Sequence, residues 1–291
     1  MLQNLFMPYY MVDTCAVAAI SQCDPDGAHT KEFQAATGWK SSLSESLVFE
    51  LFFPLSEEPT HSGCVRDCNF YARLWPVRLV ADVEQGLCAE YLHGARGETS
   101  SRMANPRIDE LKSQLEAASN GCFDTGYKEF RDRVERFRLN AKKKFEDGVD
   151  AAVAASGRTP TRMTYRDFLA HADTPKATRL MISEIGRKLG LPENPLTVEE
   201  LAKLIAIDVR KVPYWGGAVR TALFQNWNSR THGSTSGDMD LRNIQLAATC
   251  EAFVTSDKQV LNRGPMIFPE VQWVHSDRLI AALTDASKRP F

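Results

Sequence analysis

The stretch that most restricts how this chain can fold runs from Gly237 to Asp257. It opens with Gly237-Asp238-Met239-Asp240, continues from Leu241 to Cys250, and ends in Ala252-Phe253-Val254-Thr255-Ser256-Asp257. Two carboxylates at the head of a helix, then a short apolar β-prone run stopping at Thr-Ser-Asp, describe a helix feeding a buried strand. A strand that ends in an acid points that carboxylate out of the sheet's carboxyl edge, where open α/β sheets hold their ligands. A helix start beside that edge brings Asp238 or Asp240 to the same place. Carboxylates gathered this way repel one another and are tolerable chiefly around a divalent cation.

The other end of the chain has the same grammar. Phe6-Met7-Pro8-Tyr9-Tyr10-Met11-Val12 is apolar and ends at Asp13, which reads as a buried parallel strand with an acid at its carboxyl end. Thr14 to Ile20 suits a first helix, and Asp24-Pro25-Asp26-Gly27 is turn chemistry. Ser42-Leu43-Ser44-Glu45-Ser46 offers N-caps for the apolar run Leu47 to Phe53, which stops at Pro54. Glu45 is a first-turn charge favoured by the helix dipole. Glu50 sits inside the apolar run, where a charge is rarely left without a partner. It is either a helix-edge charge that reaches solvent or a metal or catalytic carboxylate. Trp75 to Ala81 reads as a second strand, and a helix with Glu90 on it follows from Asp82 to Leu92.

From about Gly94 to Ser236 helical periodicity dominates. The pattern predicts helices over Arg107–Ser119, Tyr127–Ala155, Tyr165–Ala172, Lys176–Leu189, Val198–Val209 and Pro213–Asn226, with a capping-box-like start at Thr197. Asn228 to Gly237 reads as a mobile polar loop, which makes His232 a solvent-exposed histidine rather than a ligand. Lys258 to Arg263 is a short helix broken by Gly264-Pro265, Val271 to Val274 is a last strand, and Ser276 caps a final helix through Leu283. The expected organisation is an α/β domain in two pieces, residues 1–93 and 236–291, with an all-helical insertion at 94–235.

Composition limits what such a chain binds. With 43% hydrophobic and 25% charged residues and a formal charge of −2, any affinity for nucleic acid has to come from a local patch. The candidate is the segment 128–144, with Arg131, Arg138, Lys142, Lys143 and Lys144 among its cations and Phe130, Phe137 and Phe145 interleaved. It is either a solvated helix whose charges pair internally or a phosphate-backbone patch. No apolar run approaches the roughly 20 residues of a membrane span, and the N-terminus lacks a signal-peptide pattern. Seven scattered cysteines favour a reducing cytoplasm. The spacing of His61, Cys64, Cys68 and Cys88 matches no common zinc motif, and Cys64 and Cys68 fit one helix face.

Four acids in apolar context stand out in order: Asp13, Glu50, Asp240 (with Asp238) and Asp257. On these residues the chain resembles the PIN-domain (PilT N-terminus) nucleases. Those proteins open with an apolar strand ending in Asp, as Met11-Val12-Asp13-Thr14 does. They carry a helical Glu, which Ser46-Leu47-Val48-Phe49-Glu50-Leu51 looks like. They close with an acid-started helix and a hydrophobic–Val-Thr-x-Asp strand end, which Asp238 through Asp257-Lys258 looks like. The resemblance covers residues 5–92 and 236–285. It implies a PIN-like parallel sheet flanked by helices and a Mg²⁺- or Mn²⁺-dependent nuclease, an endoribonuclease by preference, toxin-like, with RNA ahead of DNA as substrate. Asp13, Asp257 and Asp238 or Asp240 would ligate the metal. Glu50 would ligate it or orient a water, and Thr14, Thr255 and Ser256 would hydrogen-bond carboxylate or phosphate. Whether an inhibitory protein partner silences the site stays open, as does a homodimer.

Two readings compete. A haloacid-dehalogenase-type phosphatase wants a second Asp two residues after the first, and that position is Cys15. A PIN-like scaffold would bind RNA or protein without cleaving.

Overall fold

The computed structural model describes residues 8–52, 62–74, 77–93, 105–121, 132, 163–171, 174–232 and 238–285. Five strands form one sheet: β1 (Tyr9–Val12), β2 (Lys40–Ser44), β3 (Arg78–Val80), β4 (Ala252–Thr255) and β5 (Gln272–His275), in the order β3-β2-β1-β4-β5. Every pairing is parallel, with Met11 opposite Ser42 on one side and Phe253 on the other. The chain is an α/β protein with a parallel sheet flanked by helices, the class that its buried apolar strand runs predict.

The strand order decides where a site can form. From β1 the chain steps outward to β2 and β3, and later returns to the other side of β1 to lay down β4 and β5. The crossovers diverge between β1 and β4, and a crevice opens outside the carboxyl ends of strands at such a point. Asp13 follows β1 and Asp257 follows β4, so both stand there.

The strand β2 departs from the sequence reading, in which Ser42 to Ser46 were helix caps only. Lys40-Ser41-Ser42-Leu43-Ser44 has no long apolar run, yet it is buried from Ser41 onward because strands pair on both sides of it. Cross-strand neighbours override weak intrinsic propensity in this way. Ser44 keeps its capping role as well: its Oγ accepts from the Leu47 N–H at 3.2 Å, at the head of α3 (Glu45–Phe52).

One group of helices packs together: α1 (Thr14–Cys23), α2 (Ala28–Thr37), α3, α4 (Ser62–Leu74) and α6 (Asn105–Ser119), joined by the last helix, α13 (Ser276–Thr284). A second group comprises α5 (Val83–His93), α7 (Tyr165–His171), α8 (Thr174–Lys188), α9 (Pro195–Ile207), α10 (Pro213–His232), α11 (Asp238–Ala247) and α12 (Lys258–Ile267). Within it α10 packs on both α5 and α11, and its Tyr214, Trp215, Val219 and Leu223 belong to the same apolar core as Leu87 and Tyr91.

Several boundaries differ from expectation for local reasons. The helix predicted to end at Asn226 runs to His232 as α10, so His232 belongs to a helix and not to a loop. Trp227 anchors this extra stretch, donating from Nε1 to the Met163 carbonyl at 2.8 Å and packing on Tyr165 and Phe224. Gly264-Pro265 does not break α12, which continues to Ile267. Gly264 is there for close packing, since a Cβ at that position would run into the Trp273 indole. Asn194, not Thr197, caps α9, with Pro195 in the first turn. His275, not Ser276, caps α13, its Nδ1 accepting from the Asp277 N–H. The predicted helix Tyr127–Ala155, with the basic residues Arg131, Arg138, Lys142, Lys143 and Lys144, lies outside the described residues, Asp132 excepted.

One buried acid ties α5 to α10 within the second group. Glu90 on α5 is 1% exposed, and its carboxylate accepts from the backbone N–H groups of Tyr214 and Trp215 at 3.1 and 2.9 Å. These are unpaired donors of the first turn of α10, where the dipole favours an anion. Burial nevertheless pushes the Glu90 carboxyl up to about 7, against the pull of those two bonds. No helix among the described residues is long and apolar enough to cross a membrane.

Candidate functional site

Asp13 is where β1 hands over to α1. Its backbone N–H extends the ladder to the Val254 carbonyl at 2.8 Å, and its side chain caps α1. Oδ1 accepts from the Thr14 N–H at 2.8 Å and Oδ2 from the Thr255 hydroxyl at 2.8 Å, with the Cys15 thiol 3.4 Å from Oδ2. Only 5% of Asp13 is exposed. Burial raises its pKa, the bonds from Thr255, Cys15 and Thr14 hold it down, and the neighbouring Asp257 charge raises it further.

Glu50 is brought to Asp13 by α3. Its Oε2 accepts from the Thr14 hydroxyl at 2.9 Å, so one residue, Thr14, serves both acids through its backbone and its side chain. Glu50 is half-buried and is therefore not an isolated charge.

The described α11 side chain that reaches these acids is Asn243, and the sequence reading did not single it out. Its Nδ2 lies 3.4 Å from Asp13 Oδ1 and 3.4 Å from Glu50 Oε1. Asn243 is 5% exposed, and its Oδ1 is buried with no hydrogen-bond partner. The signal that could have found it is the one that found Glu50: a polar residue between buried Leu241 and Ile244 on one helix. As expected, α11 begins at Asp238, with Asp240 one helical turn ahead of Asn243. The side chains of Asp238 and Asp240 lie outside the described part of the structure.

A second contact seats α11 at the edge. Arg242 Nη2 lies 2.6 Å from both carboxylate oxygens of Asp82, the residue that follows β3 and its exit residue Ala81, and both side chains are 22% exposed. This pair fixes the helix one residue away from Asn243.

On the β4 side, Thr255 is fully buried and its hydroxyl joins the two strand-end acids, donating to Asp13 and accepting from the Asp257 N–H at 3.0 Å. Asp257 caps α12 through Oδ1, which accepts from Gln259 and Val260. Ser256 does not turn toward a carboxylate: its hydroxyl pairs with that of Ser276 at 2.7 Å and its N–H points to the Cys15 sulfur. The structure thus joins Asp13, Glu50, Thr14 and Thr255 as one hydrogen-bonded group, adds Asn243, and sets Asp257 at its border.

Among the described residues no group of three or more His, Cys, Asp and Glu side chains stands close enough to hold a metal ion. The donor chemistry nevertheless fits a hard divalent cation. Two carboxylates converge on the Asn243 amide nitrogen, and the oxygen of the same amide is buried without a partner; carboxylate and amide oxygens are donors that Mg²⁺ and Mn²⁺ take. Leaving such an oxygen unpaired costs about 1–3 kcal/mol, which a cation would relieve. Cys64 and Cys68 are both buried in α4, where burial pushes the Cys64 thiol up to about 11, and they belong to no metal-holding group among the described residues; His61 lies outside those residues.

Comparison with known protein families, curated proteins and solved structures gives no match for this chain.

Proposed function

We propose that this protein is a divalent-cation-dependent phosphodiester hydrolase of the PIN-like kind, a nuclease that cuts RNA in preference to DNA. The observation that carries the reading is the meeting of Asp13 and Glu50, through Thr14 and Asn243, at the point where the strand order diverges, beside Asp257 of the neighbouring strand. Asp13, Glu50 and Asp257 would hold Mg²⁺ or Mn²⁺, with Asp238 or Asp240 at the head of α11 as further ligands. When bound, such an ion lowers the pKa of a coordinated water and offsets charge on the phosphate.

The protein's own groups have definable tasks in this reading. Thr255 and the Thr14 N–H pull the Asp13 pKa down against the upward push of burial. The Thr14 hydroxyl fixes Glu50 Oε2 and the Asn243 amide reaches Oε1, so the carboxylate is held where it would ligate the cation or orient a water. The basic segment from Lys128 to Lys144 would grip the nucleic-acid backbone. An endoribonuclease with a toxin-like role and a protein inhibitor is the finer form of the proposal, and it draws on the resemblance of the acid order.

The test is cleavage of labelled single-stranded RNA and DNA by purified protein with Mg²⁺, Mn²⁺ or EDTA, beside Asp13→Asn. Cation-dependent cutting of RNA, lost in the variant, supports the proposal. Binding without cutting under every cation supports a silent scaffold instead.

A further inference from the structure

Asn243 carries a buried amide oxygen without a partner at the carboxyl edge, although the acids around it are well held. Asp13 is fixed by the Thr14 N–H and the Thr255 hydroxyl, and Glu50 by the Thr14 hydroxyl, all at 2.8–2.9 Å. The Asn243 amide nitrogen, by contrast, is stretched 3.4 Å to each acid, whereas hydrogen bonds to carboxylates ordinarily close to about 2.7–2.9 Å. One NH₂ group is being shared between two anions and satisfies neither fully. On the other side of the same amide, Oδ1 is buried and has no partner.

A side-chain amide is the neutral group that offers donors on one side and an acceptor on the other. A half-turn about its last bond, a soft torsion, exchanges the two. We infer that Asn243 is an exchangeable latch: its NH₂ bridges Asp13 and Glu50 while no cation is bound, and its Oδ1 turns in as an oxygen ligand when a divalent cation arrives. The inference rests on the cation-dependent reading proposed above. It explains why an amide and not a third carboxylate stands here: a carboxylate would bind the cation more strongly, but in the empty site it would face two like charges. The amide keeps the empty site intact and accepts weaker cation binding in return.

The test uses the full chain freed of metal with a chelator. Free Mn²⁺ is counted by electron paramagnetic resonance during titration, and thermal unfolding is followed with and without Mn²⁺. The wild type binds Mn²⁺ and gains thermal stability from it. Asn243→Leu, close in volume, binds Mn²⁺ weaker by about tenfold or more, the scale seen when a group supporting a metal site is removed. Asn243→Asp binds about tenfold tighter, melts lower than wild type without metal, and recovers with Mn²⁺. Should the leucine variant fail to fold, Asn243→Ala carries the same expectation. Wild-type affinity in Asn243→Leu or Asn243→Ala overturns the latch, as does an aspartate variant that is no less stable without metal. A wild type that binds no Mn²⁺, or an Asp13→Asn variant that binds it as well as wild type, overturns the parent reading instead.

Discussion

Asp13 and Glu90 are both acids taken out of water, at 5% and 1% exposure, and both have pKa values raised chiefly by burial. Their company separates them. Glu90 meets two backbone N–H groups at the start of α10, with no other carboxylate beside it among the described residues. That is a closed structural arrangement: the anion and the helix end satisfy each other. Asp13 meets a hydroxyl, a thiol, a backbone N–H and a half-used amide, with Glu50 on one side and Asp257 on the other. Like charges are crowded there and one oxygen remains open. Burial alone does not mark a functional acid; unspent coordination capacity beside a like charge does.

If the contrast is right, the most divergent result comes from Asp13→Asn. Cleavage falls by about 100-fold or more, as when one preorganised electrostatic group is removed, while the melting temperature holds or rises because repulsion from Asp257 is relieved. A fall in activity explained entirely by unfolding would erase the distinction.

Glu90 should instead report in stability against pH. Its carboxyl lies at about 7 in the folded chain against 4.5 as a free group, so the native state binds the extra proton between those values. Its contribution is full below about pH 4.5 and is lost as pH rises through about 7, amounting to about 3 kcal/mol at 1.36 kcal/mol per unit. Denaturant unfolding of wild type and Glu90→Gln across that window measures it. The gap between the two proteins should shift by this amount, with cleavage per folded molecule unchanged at fixed pH.

A smaller effect sharpens the site side. Thr255→Val removes a bond to a buried carboxylate, worth about 1.5–3 kcal/mol, and removes one of the forces holding the Asp13 pKa down. The acidic limb of the pH–rate profile therefore moves to higher pH, which an unfolding artefact would not produce. The smallest effect is expected from Arg242→Met. The Asp82 pair is partly exposed and contributes about 1 kcal/mol or less, yet its loss should weaken Mn²⁺ binding more than stability by freeing the helix that carries Asn243.

The sequence revealed the acids that end strands and concealed those groups that depend on packing. Asp13 and Asp257 were legible because an apolar run ending in Asp has few other meanings in a parallel sheet. Glu50 stood out against its apolar neighbours. β2 was hidden because Lys40 to Ser44 carries three serines, and only strands on both sides make that stretch extended. Asn243 was passed over in favour of Asp238 and Asp240, since charge draws attention that an amide does not. Only the docking of α11, seated by Arg242 on Asp82, turns Asn243 inward. Glu90 read as an ordinary helical acid because its partners lie 124 and 125 residues further along the chain.

The placing of the site between β1 and β4 has a consequence for how the protein is made. Thr255 and Asp13 are 242 residues apart, and Asn243 is 193 residues from Glu50. A pairing of such long range closes late, after the local helices have formed. During synthesis Asp13 and Glu50 emerge first, without the strand and helix that complete their surroundings. A nascent chain of this design therefore carries Asp13 and Glu50 without Thr255 and Asn243, and the group is completed only when the last strands are laid in beside the first.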